Sequence, residues 1–310
     1  MATDGKKMGV GWGLAGGVAL RSVDEVRRAA RWAEQTGFDG FWVSQSTAVD
    51  PTVALAAIAG DIPTLAEVGT SVVPLYGRHP LGLSQMVRTA QSALGGRLTL
   101  GIGPSHREPV EGSLGIAWDR PLGYTREFLD GILPLLAGEP ANSEGEQLTT
   151  RAELNIEAPN TSILLAALGP NMLKLAGART AGTTVGQCGP NTIRTHIAPL
   201  VHQAAADAGR PKPRIMALIR FCVTDDHDGA YALARDVGAG YARLPSYAAV
   251  LEREGMGEPA DLHLIGSAEQ VLDGLGRYVE AGVTDFRLEV SAPTEAARDS
   301  SRAALVEYLR

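Results

Sequence analysis

The sequence predicts an α/β fold, a single (β/α)8 TIM barrel, and three observations carry that expectation. Short apolar, β-branched runs alternate with amphipathic stretches, at roughly 30 residues per unit. The alternation can be followed to eight of each. A chain of 310 residues with 45% hydrophobic side chains is also a common size for one such barrel and can bury a large core.

Met8 to Trp12 reads as strand one. Ser22 with Glu25 three residues on forms a capping box, and the helix that follows turns Val26, Ala29, Ala30 and Ala33 inward and stops at Gly37. Gly40 to Ser44 is strand two. Asp50 caps the next helix with Pro51 in its first position, and Gly60 and Pro63 end it. Val68 to Val73 is strand three, broken at Pro74 into the polar turn Tyr76-Gly77-Arg78-His79. Pro80 opens a helix with the stripe Leu83, Met86, Val87, Ala90 and Leu94, ended by Gly95-Gly96, and Leu98 to Ile102 is strand four.

A long turn through His106, Glu108 and Trp118 precedes a helix from about Pro121, with Phe128, Leu129, Ile132, Leu133 and Leu136 buried. Residues 138–160 are polar and weakly alternating, an excursion with one hairpin. Ser162 to Ala167, Thr183 to Gln187 and Arg214 to Val223 are strands five, six and seven, and Pro199 interrupts the helical pattern of Asn191 to Ala208. From Asp225 to Ile265 the chain is helical but broken at Gly238, Gly240, Pro245 and Gly255. Ser267 to Ala281 is a helix, Thr284 to Val290 strand eight, and Pro293 to Leu309 the closing helix. The domain expected is one unit, 1–310, with insertions over the C-terminal mouth at about 104–120, 138–160 and 225–265.

Composition excludes several classes of function. A net charge of -7 without a Lys/Arg cluster argues against nucleic-acid or anionic-membrane partners. The two cysteines, Cys188 and Cys222, show no CxxC pairing, so a reducing compartment and no metal framework are expected. The N-terminus lacks a signal-peptide core and no apolar run is long enough to span a bilayer, which places the protein in the cytoplasm. None of the lysines, Lys6, Lys7, Lys174 and Lys212, follows a strand, so Schiff-base chemistry is not expected. The six histidines have no ligand-like spacing, so no metal is expected either. Glu108 and Asp225 have no context for a glycosidase pair, and no GxGxxG follows the first strand.

Gly69-Thr70-Ser71-Val72-Val73-Pro74, then Arg78-His79-Pro80, then Gly96-Arg97-Leu98 through Gly101-Ile102-Gly103, together resemble the central run of the luciferase-like superfamily. More closely they resemble its actinobacterial branch that uses the deazaflavin coenzyme F(420), and the resemblance runs from Gly9 to about Val290. It implies a luciferase-like barrel with a non-proline cis peptide at Ser71-Val72, set against the central ring of the cofactor. Ser71, Val72, Pro74 and Ser105 would belong to that cofactor site. It also implies that Leu168, Gly169 and Asn171 hold the coenzyme's phosphate, at a strand end leading into a helix N-terminus. Gly186-Gln187-Cys188-Gly189 is a second, weaker candidate for that role.

Relatives carry a proton-donating carboxylate after strand four, where this chain has His106, a group that titrates near neutral pH and can act as acid or base. The alternative is a loop histidine bonded to backbone. Sugar-phosphate dehydrogenases of the family place an Asp-His pair after strand two. Here the run is Trp42-Val43-Ser44-Gln45-Ser46, which argues against that reaction, and no basic phosphate clamp is evident. Gln45 and Ser46 are expected to contact substrate. Trp12 and Tyr76, with Trp42 and Trp118, would form an apolar wall, although such aromatics more often complete a core.

The expected activity is hydride transfer between C5 of coenzyme F(420) and a small organic substrate, reducing an electron-poor double bond, with a homodimer implied by the resemblance. Two alternatives stand beside it: a monooxygenase using flavin mononucleotide (FMN), and a non-catalytic flavin- or deazaflavin-binding protein.

Overall fold

The computed structural model describes residues 8–16 and 20–310; Lys6, Lys7 and the rest of the extreme N-terminus lie outside the described residues. Eight parallel strands close into a barrel: Gly11–Gly16, Gly40–Val43, Glu67–Thr70, Leu98–Gly103, Ser162–Ala166, Gly182–Val185, Arg214–Val223 and Asp285–Val290. They pair in chain order and strand eight returns to strand one, with Gly11 beside Asp285 and Leu14 beside Leu288. Helices follow the strands and cover the outside. Among the described residues no helix is long and apolar enough to cross a membrane.

Local chemistry sets most boundaries where expected. Asp50 accepts hydrogen bonds from the Thr52 and Val53 N–H groups at 3.0 and 3.1 Å, opening helix Pro51–Ala57. The Ser22 hydroxyl takes the Glu25 N–H at 3.2 Å, but the Glu25 carboxylate reaches the N–H of Arg21 rather than that of Ser22, so only half of the capping box forms. Pro199 has no N–H for the Thr195 carbonyl, and the helix adjusts with a wide turn over Ile193–Ile197 before continuing as Ala198–Asp207. The excursion contains one antiparallel hairpin, Ala141–Glu144 with Thr149–Ala152.

Four details differ from expectation. Strand one starts at Gly11 rather than Met8, because pairing places Gly13 opposite Gly40. Met86 is 38% exposed: the buried arc of its helix holds Leu83, Val87, Ala90 and Leu94, and Met86 lies beyond it. Leu133 and Ala29 are only half buried. A short strand, Leu264–Gly266, pairs with the C-terminal end of strand seven.

The barrel interior is built by period-two alternation. In strand seven Ile215, Ala217, Ile219 and Phe221 join the core beneath the helices, while Met216 meets Trp42 and Leu164 in a separate interior cluster. The Trp42 indole occupies space that side chains at two neighbouring glycines would fill. A Cβ on Gly13 would lie 2.8 Å from the indole, and one on Gly69 would lie 2.1 Å from it. These positions must therefore stay bare.

Below that layer, at the N-terminal ends of the strands, Arg214 bonds both carboxylate oxygens of Glu67 at 2.7 and 2.8 Å and both of Asp285 at 2.8 and 3.0 Å. Thr99 and Thr284 donate to the same two carboxylates. Burial alone would lower the Arg214 guanidinium, but the bonds from Glu67 and Asp285 outweigh it and raise the pKa above its ordinary value.

Candidate active site at the barrel mouth

At the opposite end the strands open into a cavity of about 240 Å³, bordered by Ser44, Gln45, Ser71, Val72, Pro74, Ser105, His106, Thr184, Gln187, Arg220, Tyr247, Arg287 and Glu289 among others. This is the end where the βα-loops of such barrels converge. Strand three is interrupted there. The Ser71-Val72 peptide is cis, and pairing resumes with Val73 and Pro74 beside Ile102 and Gly103.

The Ser71 carbonyl is held from two strands, by Arg287 Nη1 at 2.6 Å and by the Ser44 hydroxyl at 2.8 Å. The Ser71 hydroxyl lies 3.3 Å from that of Thr184 across the barrel. Arg220 Nε donates to Glu289 at 3.0 Å and its guanidinium sits over the Tyr241 ring. Tyr241 and Tyr247 come from the irregular segment after strand seven, which contributes to the wall of the mouth.

His106 follows strand four beside Ser105, whose φ of 74° turns the chain toward the cavity. Its ring lies 6.0 Å from that of Tyr247. Burial lowers its pKa, so the imidazole is neutral at pH 7. Burial also raises the Tyr247 phenol, which keeps its proton. Gln45 accepts a bond from Arg78 at 3.1 Å, and Arg78 also pairs with Asp50 at 3.2 Å, so the Arg-His-Pro turn braces one rim of the mouth. His79 is structural: Nδ1 accepts from the Leu81 N–H and Nε2 faces the Thr149 carbonyl at 2.9 Å, which fixes the proton on Nε2.

The structure brings Ser71, Val72, Pro74, Ser105, His106 and Gln45 to one cavity, and leaves other candidates outside it. Trp12 is fully buried with its ring edge-on to Phe286 and 6.4 Å from Tyr308, on the outer side of the strand. Its neighbour Gly13 has to face Trp42, so the alternation turns Trp12 away from the mouth. Tyr76 stacks on Tyr124 at 4.1 Å, and its hydroxyl donates to the Asp119 carbonyl. Together with Trp118 it anchors the loop after strand four instead of lining the cavity. Ser46 is exposed and does not border the cavity.

Leu168, Gly169 and Asn171 lie just past Ala166, at the start of helix Pro170–Arg179. Gly169 rather than Asn171 is the cap residue, no side chain caps the helix, and a Cβ on Gly169 would meet nothing within 4 Å. That helix start is exposed at Gly169, Pro170 and Asn171. The second candidate loop differs. The Glu254 carboxylate bonds the N–H groups of Asn191 and Thr192 at 3.2 and 2.5 Å, so the chain already supplies an anion at that helix start. A larger cleft of about 430 Å³ near Glu254, Asp261 and His263 shares no lining residue with the mouth cavity. Two of its carboxylates are engaged, Glu254 as above and Asp261 with the N–H groups of Gly257 and Glu258.

Sequence reasoning missed Thr184, Arg220, Arg287 and Glu289, and placed Gln187 only in a possible phosphate loop. A signal was present: in Asp285-Phe-Arg-Leu-Glu-Val every second residue is charged, where a strand covered on both faces ordinarily reads apolar throughout. That alternation marks an interior face that must be either paired or used.

Fold and cavity together define a (β/α)8 barrel with a candidate site at its C-terminal strand ends. The chain belongs to the luciferase-like monooxygenase family, whose model matches residues 10–285. It is 28% identical over 268 residues, 86% of this chain and 81% of the relative, to a 5,10-methylenetetrahydromethanopterin reductase of Methanolobus tindarius. The coenzyme F(420)-dependent tetrahydromethanopterin reductase of Methanopyrus kandleri shares the fold with a TM-score of 0.79 at 21% identity, over 97% of each chain. A type II Baeyer-Villiger monooxygenase of Pseudomonas putida, in complex with FMN, aligns with a TM-score of 0.74 at 19% identity, over 97% of this chain and 96% of that one.

Proposed function

We propose that this protein is a coenzyme F(420)-dependent oxidoreductase that reduces an electron-poor double bond of a small organic substrate. The observation that carries the reading is the placement of the half-buried His106 on the same cavity as Ser71 and Val72 at the C-terminal strand ends. Similarity to the reductases described above supports it.

The residues fit a site that holds cofactor and substrate together, because the cavity has buried donors, Arg287 Nε and Gln187 Nε2, that have no partner among the described residues. Ser71, Val72, Pro74 and Ser105 would hold the ring, and the open backbone at Leu168, Gly169 and Asn171 the phosphate. When bound, the deazaflavin supplies a two-electron hydride donor at C5. His106 exchanges the accompanying proton with the substrate. Because its pKa is depressed, the protonated fraction grows only as pH falls below the ordinary histidine value of about 6.5. Reduction should accordingly slow as pH rises above that region.

The FMN-bound neighbour favours a second reading, an oxygen-activating monooxygenase on the same site. Fluorescence titration with oxidised coenzyme F(420) and, in parallel, with FMN separates the two. Saturable binding of the deazaflavin in preference to FMN is expected. Preference for FMN together with oxygen consumption would replace the proposal by the second reading. Gly169→Asp, which adds a carboxylate in open space, should weaken deazaflavin binding about tenfold; unchanged affinity would remove this loop from the site.

A further inference from the structure

Arg287 lies on strand eight, is 6% exposed, and borders the mouth cavity. Its Nη1 is used twice, by the Ser71 carbonyl at 2.6 Å and the Ser44 hydroxyl at 3.3 Å, and both of these partners are neutral. Its Nε is buried without a partner. Arg220, also on the cavity, is matched by Glu289. The other titratable groups at the mouth carry no compensating charge: His106 and Tyr247 are both neutral at pH 7. Among the described residues that border the mouth, two arginines, Arg220 and Arg287, thus share one carboxylate, Glu289.

Gln187 supplies an independent second observation. It is 5% exposed, sits at a left-handed φ of 50°, borders the same cavity, and its amide nitrogen is also buried without a partner. Unpaired buried donors are costly, and charged ones more so, unless a ligand completes them.

We propose that Arg287 and Gln187 form an anion subsite that binds the carboxylate of the substrate, so that the enzyme acts on unsaturated carboxylic acids or closely similar anions. The subsite rests on reading the mouth as the active site, and it names the substrate class that the fold alone leaves open. A planar carboxylate matches the arginine fork and offers a second acceptor lone pair to the glutamine amide. It also neutralises the surplus charge. The charge comes from a strand interior and not from a surface cluster of basic residues.

The test is a calorimetric titration of the protein, alone and saturated with oxidised coenzyme F(420), with crotonate and with the isosteric neutral crotonamide. Crotonate is expected to bind roughly tenfold or more tightly than crotonamide. Arg287→Gln should abolish that preference, and Arg287→Lys should keep part of it because the charge remains. Equal affinities, or binding of neither ligand in either state, would overturn the subsite; this comparison needs no variant, so it stands even if a variant fails to fold. A preference untouched in Arg287→Gln would overturn it too. Loss of crotonate binding on saturation with coenzyme would overturn the substrate assignment, by giving Arg287 to the coenzyme's own acidic group. Failure of the coenzyme to bind while the crotonate preference persists would remove the proposed cofactor and leave the subsite standing.

Discussion

Arg214 and Arg287 both point into the barrel, from the neighbouring strands seven and eight, yet their surroundings are opposite. Arg214, at the N-terminal end, bonds two carboxylates and is raised in pKa. Arg287, at the C-terminal end, bonds only neutral oxygens, and burial, above all, lowers it to about 10. One end of the interior is electrostatically complete. The other holds a charge that the fold leaves unmatched, and such mismatches gather where a ligand is to be bound.

The contrast can be broken by removing each charge in turn. Arg214→Met would leave Glu67 and Asp285 facing each other without their shared cation, and a loss of about 3–5 kcal/mol of unfolding free energy is expected by denaturant titration. A loss under about 1 kcal/mol would mean that the network is a solvated ornament of the barrel base.

At the mouth the penalty should fall on chemistry. His106→Ala is expected to lower turnover about a hundredfold, close to 3 kcal/mol in the barrier, with coenzyme affinity and melting temperature unchanged. Full activity in that variant would pass the proton role to another group.

A third test concerns His263, behind the mouth near Arg220, where desolvation lowers the imidazole to about 4. The unfolded group titrates near 6.5, so the native state is fully favoured above that pH and loses stability as pH falls toward 4. The wild type should lose up to about 3 kcal/mol across this window, and His263→Phe distinctly less. Melting curves at pH 7 and near pH 4.5 would show it, and parallel losses in both proteins would assign the acid sensitivity elsewhere.

The smallest effect sharpens the comparison most. Arg287→Met removes a cation that is disfavoured by burial at every pH below about 10, an unfavourable contribution of roughly 3 kcal/mol that loss of the Ser71 and Ser44 bonds should offset in part. A net stabilisation of about 1 kcal/mol is expected by denaturant titration at pH 7. Destabilisation as large as that of Arg214→Met would make the two ends alike.

Much of the architecture was legible in the chain. Strand seven was read to the residue, since Arg214 to Val223 lies between turn signals, and the hairpin after strand four's helix and the broken helices after strand seven were also expected. The cis bond at Ser71-Val72 was implied by the family resemblance that Gly69–Pro74 helps to carry. Trp12 and Tyr76 were misplaced because an aromatic at a strand end can face either way, and one residue of register decides which. Gln187 was singled out only as part of a possible phosphate loop. Glu254 fills that helix start from 62 and 63 residues away along the chain, the kind of contact no local pattern encodes.

By itself, then, the sequence determined the alternation of strands and helices, the caps and turns that bound them, and the family motifs around the bulge, because these depend on interactions between near neighbours in the chain. Only the tertiary structure decided which alternate residues of each strand face inward. Closing the sheet put Arg214 between two carboxylates that bond it and left Arg287 bonded to neutral oxygens alone, since the contacts inside a barrel are set by residues on different strands.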